Sequence, residues 1–124
     1  MYSLTPKEEE VMELIWRLGR PCTPKEVQAF YTKPIPNINT IATAFQSLEK
    51  KGYLTHQQQG RGYLYVPLIE KKAYGESRFF HFIEKFFNGD IKEIVSSFIQ
   101  SEMISKEELI SLFEELETNK KTEV

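Results

Sequence analysis

Residues 37–67 read NINTIATAFQSLEKKGYLTHQQQGRGYLYVP, and the stretch decides the fold because its apolar period changes halfway along. Ile38, Ile41, Phe45 and Leu48 fall at i, i+3, i+7 and i+10, one stripe of a helix capped by Asn37 and stopped by Gly52. Beyond Gly52 the period drops to two. Leu54 to Gln58 and Tyr63 to Pro67 read as short strands joined by Gln59-Gly60-Arg61-Gly62, a hairpin turn with a basic tip. The other side of the helix presents Asn39, Thr40, Thr43, Gln46, Ser47 and Lys50, mostly uncharged. A merely solvated helix face carries more Glu/Lys pairs than this. Amide and hydroxyl side chains are what base-edge readout in a DNA groove uses. Lys50, Lys51 and Arg61 supply cations for the phosphates on either side.

Two helices precede this stretch, both marked by the same four residues. Thr5-Pro6-Lys7-Glu8 and Thr23-Pro24-Lys25-Glu26 each read as a capping box with proline in the first turn. The first helix is expected over Pro6–Leu18, burying Val11, Leu14, Ile15 and Leu18 and ending at Gly19. The second is expected over Pro24–Tyr31, burying Val27 and Phe30, because Pro34-Ile35-Pro36 cannot continue it. Three helices and a two-stranded hairpin make a winged helix-turn-helix, here assigned to residues 1–72.

From residue 73 the character changes. Phe79, Phe80, Phe82, Phe86, Phe87 and Phe98 crowd a region with helices expected over Tyr74–Phe87, from Asp90 onward, and from Ser105 onward. Phe79, Phe82, Phe86, Ile91, Ile94, Val95, Phe98, Leu109, Leu112, Phe113 and Leu116 are more apolar surface than about 50 residues can hide. A second copy of the chain is the economical cover, so residues 73–124 read as a helical dimerisation domain. The polar tail beyond Glu117 is expected to fray. The fold class is therefore mainly α: a DNA-binding winged helix followed by dimerisation helices.

Charge follows the same division. Residues 1–72 carry ten Lys/Arg against seven Asp/Glu, or +3, and residues 73–124 carry six against eleven, or −5. The asymmetry suits one region that meets phosphate and another that does not. No apolar run is long enough to span a bilayer, and the opening Met1-Tyr2-Ser3-Leu4-Thr5-Pro6 has no signal-peptide character. One cysteine, Cys22, permits no internal disulfide and suits a reducing cytoplasm.

Catalytic and metal chemistry find no footing. His56 and His81 lack a Cys or carboxylate at ligand spacing, and Cys22 has no local histidine to activate it. Gly60-Arg61-Gly62 does not lead into a helix, so it is a wing turn and not a phosphate loop. The reading is of a non-enzyme that needs no cofactor and no metal.

With these residues in view, the chain resembles the penicillinase and methicillin-resistance repressors, a family with copper-responsive relatives, over roughly residues 4–117. Leu4-Thr5 with Glu9-x-Val11-Met12-x-x-Ile15-Trp16 resembles the first helix of that family. Thr40-Ile41-x-Thr43-x-x-x-x-Leu48-x-x-Lys51-Gly52 resembles its recognition helix, and Gly60-Arg61-Gly62-Tyr63-x-Tyr65-x-Pro67 its wing. Phe86-Phe87-Asn88-Gly89-Asp90 and Ser105-Lys106-Glu107-Glu108-Leu109 resemble its dimerisation helices.

The resemblance implies a homodimeric repressor that binds an inverted-repeat DNA operator of a β-lactam-resistance or related stress operon. It also implies release by a membrane sensor protease that cuts an Asn-Phe bond in the dimerisation helices. The matching bond here is Ser97-Phe98, a departure from the pattern. Ala42 and Ser47 stand where relatives are often basic, which points to a different operator sequence, and the cysteine pairs of the copper branch are absent. A second reading of the polar helix face stays open beside readout: a winged-helix module that contacts protein rather than DNA.

Overall fold

The computed structural model describes the backbone of residues 2–122 and the side chains of residues 2–118. In chain order the elements are α1 (Pro6–Leu18), α2 (Pro24–Gln28), α3 (Ile38–Lys50), β1 (Leu54–Gln59), β2 (Gly62–Pro67), α4 (Lys71–Phe87), α5 (Ile91–Gln100) and α6 (Lys106–Thr122). The chain forms two compact units, Met1–Ser77 and Arg78–Val124, with the division falling inside α4.

Both capping boxes form. The Thr5 and Thr23 hydroxyls accept from the Glu8 and Glu26 N–H groups, and those carboxylates accept in return from the threonine N–H groups. α1 ends where Gly19 turns left-handed and donates to Ile15 O. α3 ends in a Schellman motif: Gly52, at φ 85°, donates to Glu49 O, and Tyr53 donates to Leu48 O. The hairpin loop is two residues, since Gln59 pairs with Gly62. Gly60 has φ 60° and Arg61 a negative φ, the pattern of a type II′ turn, which requires glycine first. Each strand is one residue longer at the turn than the sequence pattern indicates.

Three elements depart from expectation. α2 stops at Gln28 instead of Tyr31, because Phe30 and Tyr31 donate to Val27 O and Gln28 O and tighten the chain into i→i+3 turns. The tightening leaves Phe30 exposed, not buried. α4 starts at Lys71, three residues early, and α6 continues helical through Thr122 where a frayed tail was expected. Cys22 pairs antiparallel with Tyr65 through N–H···O bonds of 2.9 and 2.8 Å, giving the wing a third, one-residue strand.

One core holds the first unit together. Val11, Met12 and Ile15 of α1, Val27 of α2, and Ile41, Phe45 and Leu48 of α3 are fully buried with Cys22 and Tyr53. Phe45 meets Tyr65 of β2 edge to face at 4.9 Å, which fastens the wing to the back of α3. The first turns of α4 belong to this unit. The Trp16 indole donates to Ile69 O at 2.9 Å, and the Tyr74 ring lies against Trp16 and Tyr53. In the second unit only Ile83 and Ile94 are buried among the described side chains. α4 ends there at Asn88 and Gly89, both left-handed, and Asp90 caps α5.

Candidate DNA-reading face

α3 is amphipathic by construction: the stripe that enters the core fixes which residues remain outside. Asn39, Thr40, Thr43, Gln46 and Lys50 are exposed. Ile38, assigned to the buried stripe from its spacing, is 37% exposed, because it occupies the first turn beside the Asn37 cap, ahead of the packed part. Residues four apart align on a helix, so the outer surface has two rows: Asn39-Thr43-Ser47-Lys51, and Ala42-Gln46-Lys50. Within the first row the Thr43 hydroxyl donates to Asn39 O at 2.8 Å.

The second half of that row is occupied. Ser47 Oγ donates to Glu8 Oε2 at 2.5 Å, and Lys51 Nζ donates to Glu8 Oε1 at 2.6 Å and to Ser3 O at 3.1 Å. Ser47 and Lys51 therefore differ from Asn39 and Thr43: they face the start of α1 instead of open solvent. Glu8 is the only charged side chain buried among the described residues. Burial alone raises a carboxyl pKa, but bonds from Lys51, Ser47 and Thr5 outweigh it and hold Glu8 down at about 2. An open groove runs beside this contact, lined by Thr5, Lys7, Glu8, Asn39, Thr40, Thr43, Ala44 and Ser47. The sequence reading assigned Glu8 to the capping box only. Its reach to α3, 39 and 43 residues away, has no signature in local spacing.

The wing meets α3 near its C-terminal end, at Glu49. His56 of β1 contacts Glu49 of α3 through Nδ1 at 2.5 Å and lies 4.5 Å from the Tyr63 ring of β2. That contact ties the first wing strand to α3. Arg61 sits exposed at the turn. Cys22 is buried, and desolvation, with a smaller push from Glu26 partly offset by Arg20, raises its thiol pKa to about 11. His81 is exposed on α4. Among the described residues no three His, Cys, Asp or Glu side chains converge as a metal site, and no helix is long and apolar enough to cross a membrane.

The second unit places ten of the eleven residues assigned to dimerisation at least partly outside. Phe79, Phe82, Phe86, Ile91, Phe98, Leu112, Phe113 and Leu116 are exposed, and Val95 and Leu109 are half-buried. Ile94 is the exception. Its side chain is buried, with 6% exposed. Phe80, Ile99, Met103 and Ile110, which lie outside the set assigned to dimerisation, are also exposed. The Ser97-Phe98 bond lies inside α5, with the Ser97 hydroxyl bonded to Glu93 O at 3.1 Å.

A helix-turn-helix with a buttressed two-stranded wing, followed by helices that leave a large apolar surface, is a winged-helix regulator. The particular family follows from comparison with known proteins. The family model described as penicillinase repressor matches residues 4–118, and the chain belongs to that family. The penicillinase repressor of Bacillus licheniformis is 31% identical over 117 residues, covering 94% of this chain and 91% of that protein. The methicillin resistance regulatory protein MecI of Staphylococcus aureus (strain N315) is 26% identical over 111 residues, covering 90% of each chain. MecI of Mammaliicoccus sciuri is 26% identical over the same length.

Proposed function

We propose that this repressor binds an inverted-repeat DNA operator as a homodimer and controls genes of β-lactam resistance or a related stress response. The observation that carries the reading is the exposed, largely uncharged polar face of α3 with cations at its exit and on the wing. Asn39, Thr40, Thr43 and Gln46 offer donors and acceptors of the kind that reads base edges in a major groove, while Lys50 and Arg61 neutralise the flanking phosphates. The names of the relatives, a penicillinase repressor and a methicillin resistance regulator, supply the class of regulated gene. The exposed phenylalanines of α4 to α6 supply the surface for a second copy, and two copies read two half-sites.

Relief by proteolysis extends the same reading. A membrane sensor protease cutting Ser97-Phe98 would separate the two reading heads without touching α3, once α5 opens locally to admit it. Selection of duplexes from a random pool by the full-length protein tests the central claim. Enrichment of a two-fold symmetric site, lost as salt rises, is the expected result. Failure to enrich any duplex at low salt would overturn it and favour the protein-contact reading.

A further inference from the structure

The Asn39-Thr43-Ser47-Lys51 row changes partner halfway along, and Glu8 causes the change. Glu8 occupies the third position of α1, and both its oxygens are taken: Oε1 by Thr5 N at 2.7 Å and Lys51 Nζ at 2.6 Å, Oε2 by Ser47 Oγ at 2.5 Å. Its side chain is 6% exposed and that of Lys51 26%. A carboxylate with this set of donors offers an ammonium and a hydroxyl what a DNA phosphate would offer them. The cation that the sequence places at the exit of the recognition helix is therefore already matched inside the protein. Lys50, one residue earlier and on the neighbouring row, is exposed.

We propose that Glu8 is a specificity- and affinity-setting residue of the DNA face, an internal competitor for phosphate that holds Lys51 and Ser47 off the DNA and ends the reading row at Thr43. This rests on the DNA-binding reading above. Glu8 acts through α3 and is a positioning residue, one that need not touch DNA. It leaves the face one cation poorer than the sequence suggests, which lowers sequence-independent attraction relative to base readout. It also clamps α3 against the first turn of α1 at the groove where Asn39 and Thr43 stand.

The salt dependence of duplex binding by the full-length protein separates this role from simple bracing. Each phosphate contact contributes about −0.9 to the slope of log affinity against log salt. Lys50→Gln should flatten the slope by about 0.9, whereas Lys51→Gln should leave it at the wild-type value. Glu8→Gln keeps an oxygen for the Thr5 N–H but removes the charge that retains Lys51, so its slope on a non-specific duplex should steepen by about 0.9. The double variant Glu8→Gln/Lys51→Gln should return it to wild type. A Lys51→Gln slope as flat as that of Lys50→Gln overturns the proposal, as does an unchanged slope in a folded Glu8→Gln. Should Glu8→Gln fail to fold, the Lys50 and Lys51 variants still decide. Wild-type protein that binds no duplex at low salt is a different failure, that of the DNA reading itself.

Discussion

Removing the Glu8 charge has a stability cost whose pH window follows from the site. In the folded protein the carboxyl is held at about 2, against an ordinary value of 4.5. Between those limits the unfolded chain binds the proton and the folded chain resists it, so unfolding takes up a proton. The stabilisation is complete above about pH 4.5 and is lost as pH falls through about 2. Its size is about 3 kcal/mol, from 1.36 kcal/mol per pH unit, a sizeable part of the roughly 5–15 kcal/mol that holds a domain together. Glu8→Gln cannot gain this contribution at any pH. At pH 7 its urea midpoint should therefore fall by about 1–3 M, at about 1–3 kcal/mol per molar urea. The gap to wild type should close progressively between pH 4.5 and 2. Trp16 fluorescence is a suitable probe, since its indole is bonded to Ile69 O within the same unit. The difference between the two proteins at each pH is the quantity that reports on Glu8. A gap that persists undiminished to pH 2, or no gap at pH 7, would refute the ion-paired description.

Other outcomes follow from the same geometry. Phe86→Glu with Phe113→Glu places charges at two strongly exposed positions of the apolar surface and should convert a dimer to monomers in sedimentation at micromolar concentration; a monomeric wild type would remove the basis for the dimer. Gln46→Ala should cost about 1–3 kcal/mol on the selected site and relax preference there, while Arg61→Ala should weaken all duplexes and flatten the salt slope, as measured by titration at several salt concentrations. Cys22, buried with its thiol raised to about 11, should resist alkylation at pH 8 in the folded protein and react once urea unfolds it. Mass spectrometry of the chain from induced cells should find fragments ending at Ser97; an intact chain throughout derepression would exclude cleavage as the signal.

Local chemistry was enough for most of the architecture. The repeated Thr-Pro-Lys-Glu boxes located two helix starts, Gly52 located the end of α3, and Gly60 the wing turn, because caps and tight turns depend on residues within five positions of one another. The 3.6-residue stripe of α3 likewise determined its outer face, and the phenylalanine cluster declared a surface in need of cover. What tertiary structure alone decided were the long-range pairings. Cys22 against Tyr65 adds a strand of one residue, too short to have any period. Phe30 turns outward because hydrogen bonds tighten the end of α2, which apolar spacing does not report. Ile94 and Phe98 share one helix stripe, yet Ile94 is buried and Phe98 exposed, a difference along the stripe that periodicity does not report. Ser47 and Lys51 read as DNA ligands from sequence because residue type and helix face are local properties. Which group a side chain meets inside the protein depends on which helix the fold brings beside it, and here the fold brings Glu8.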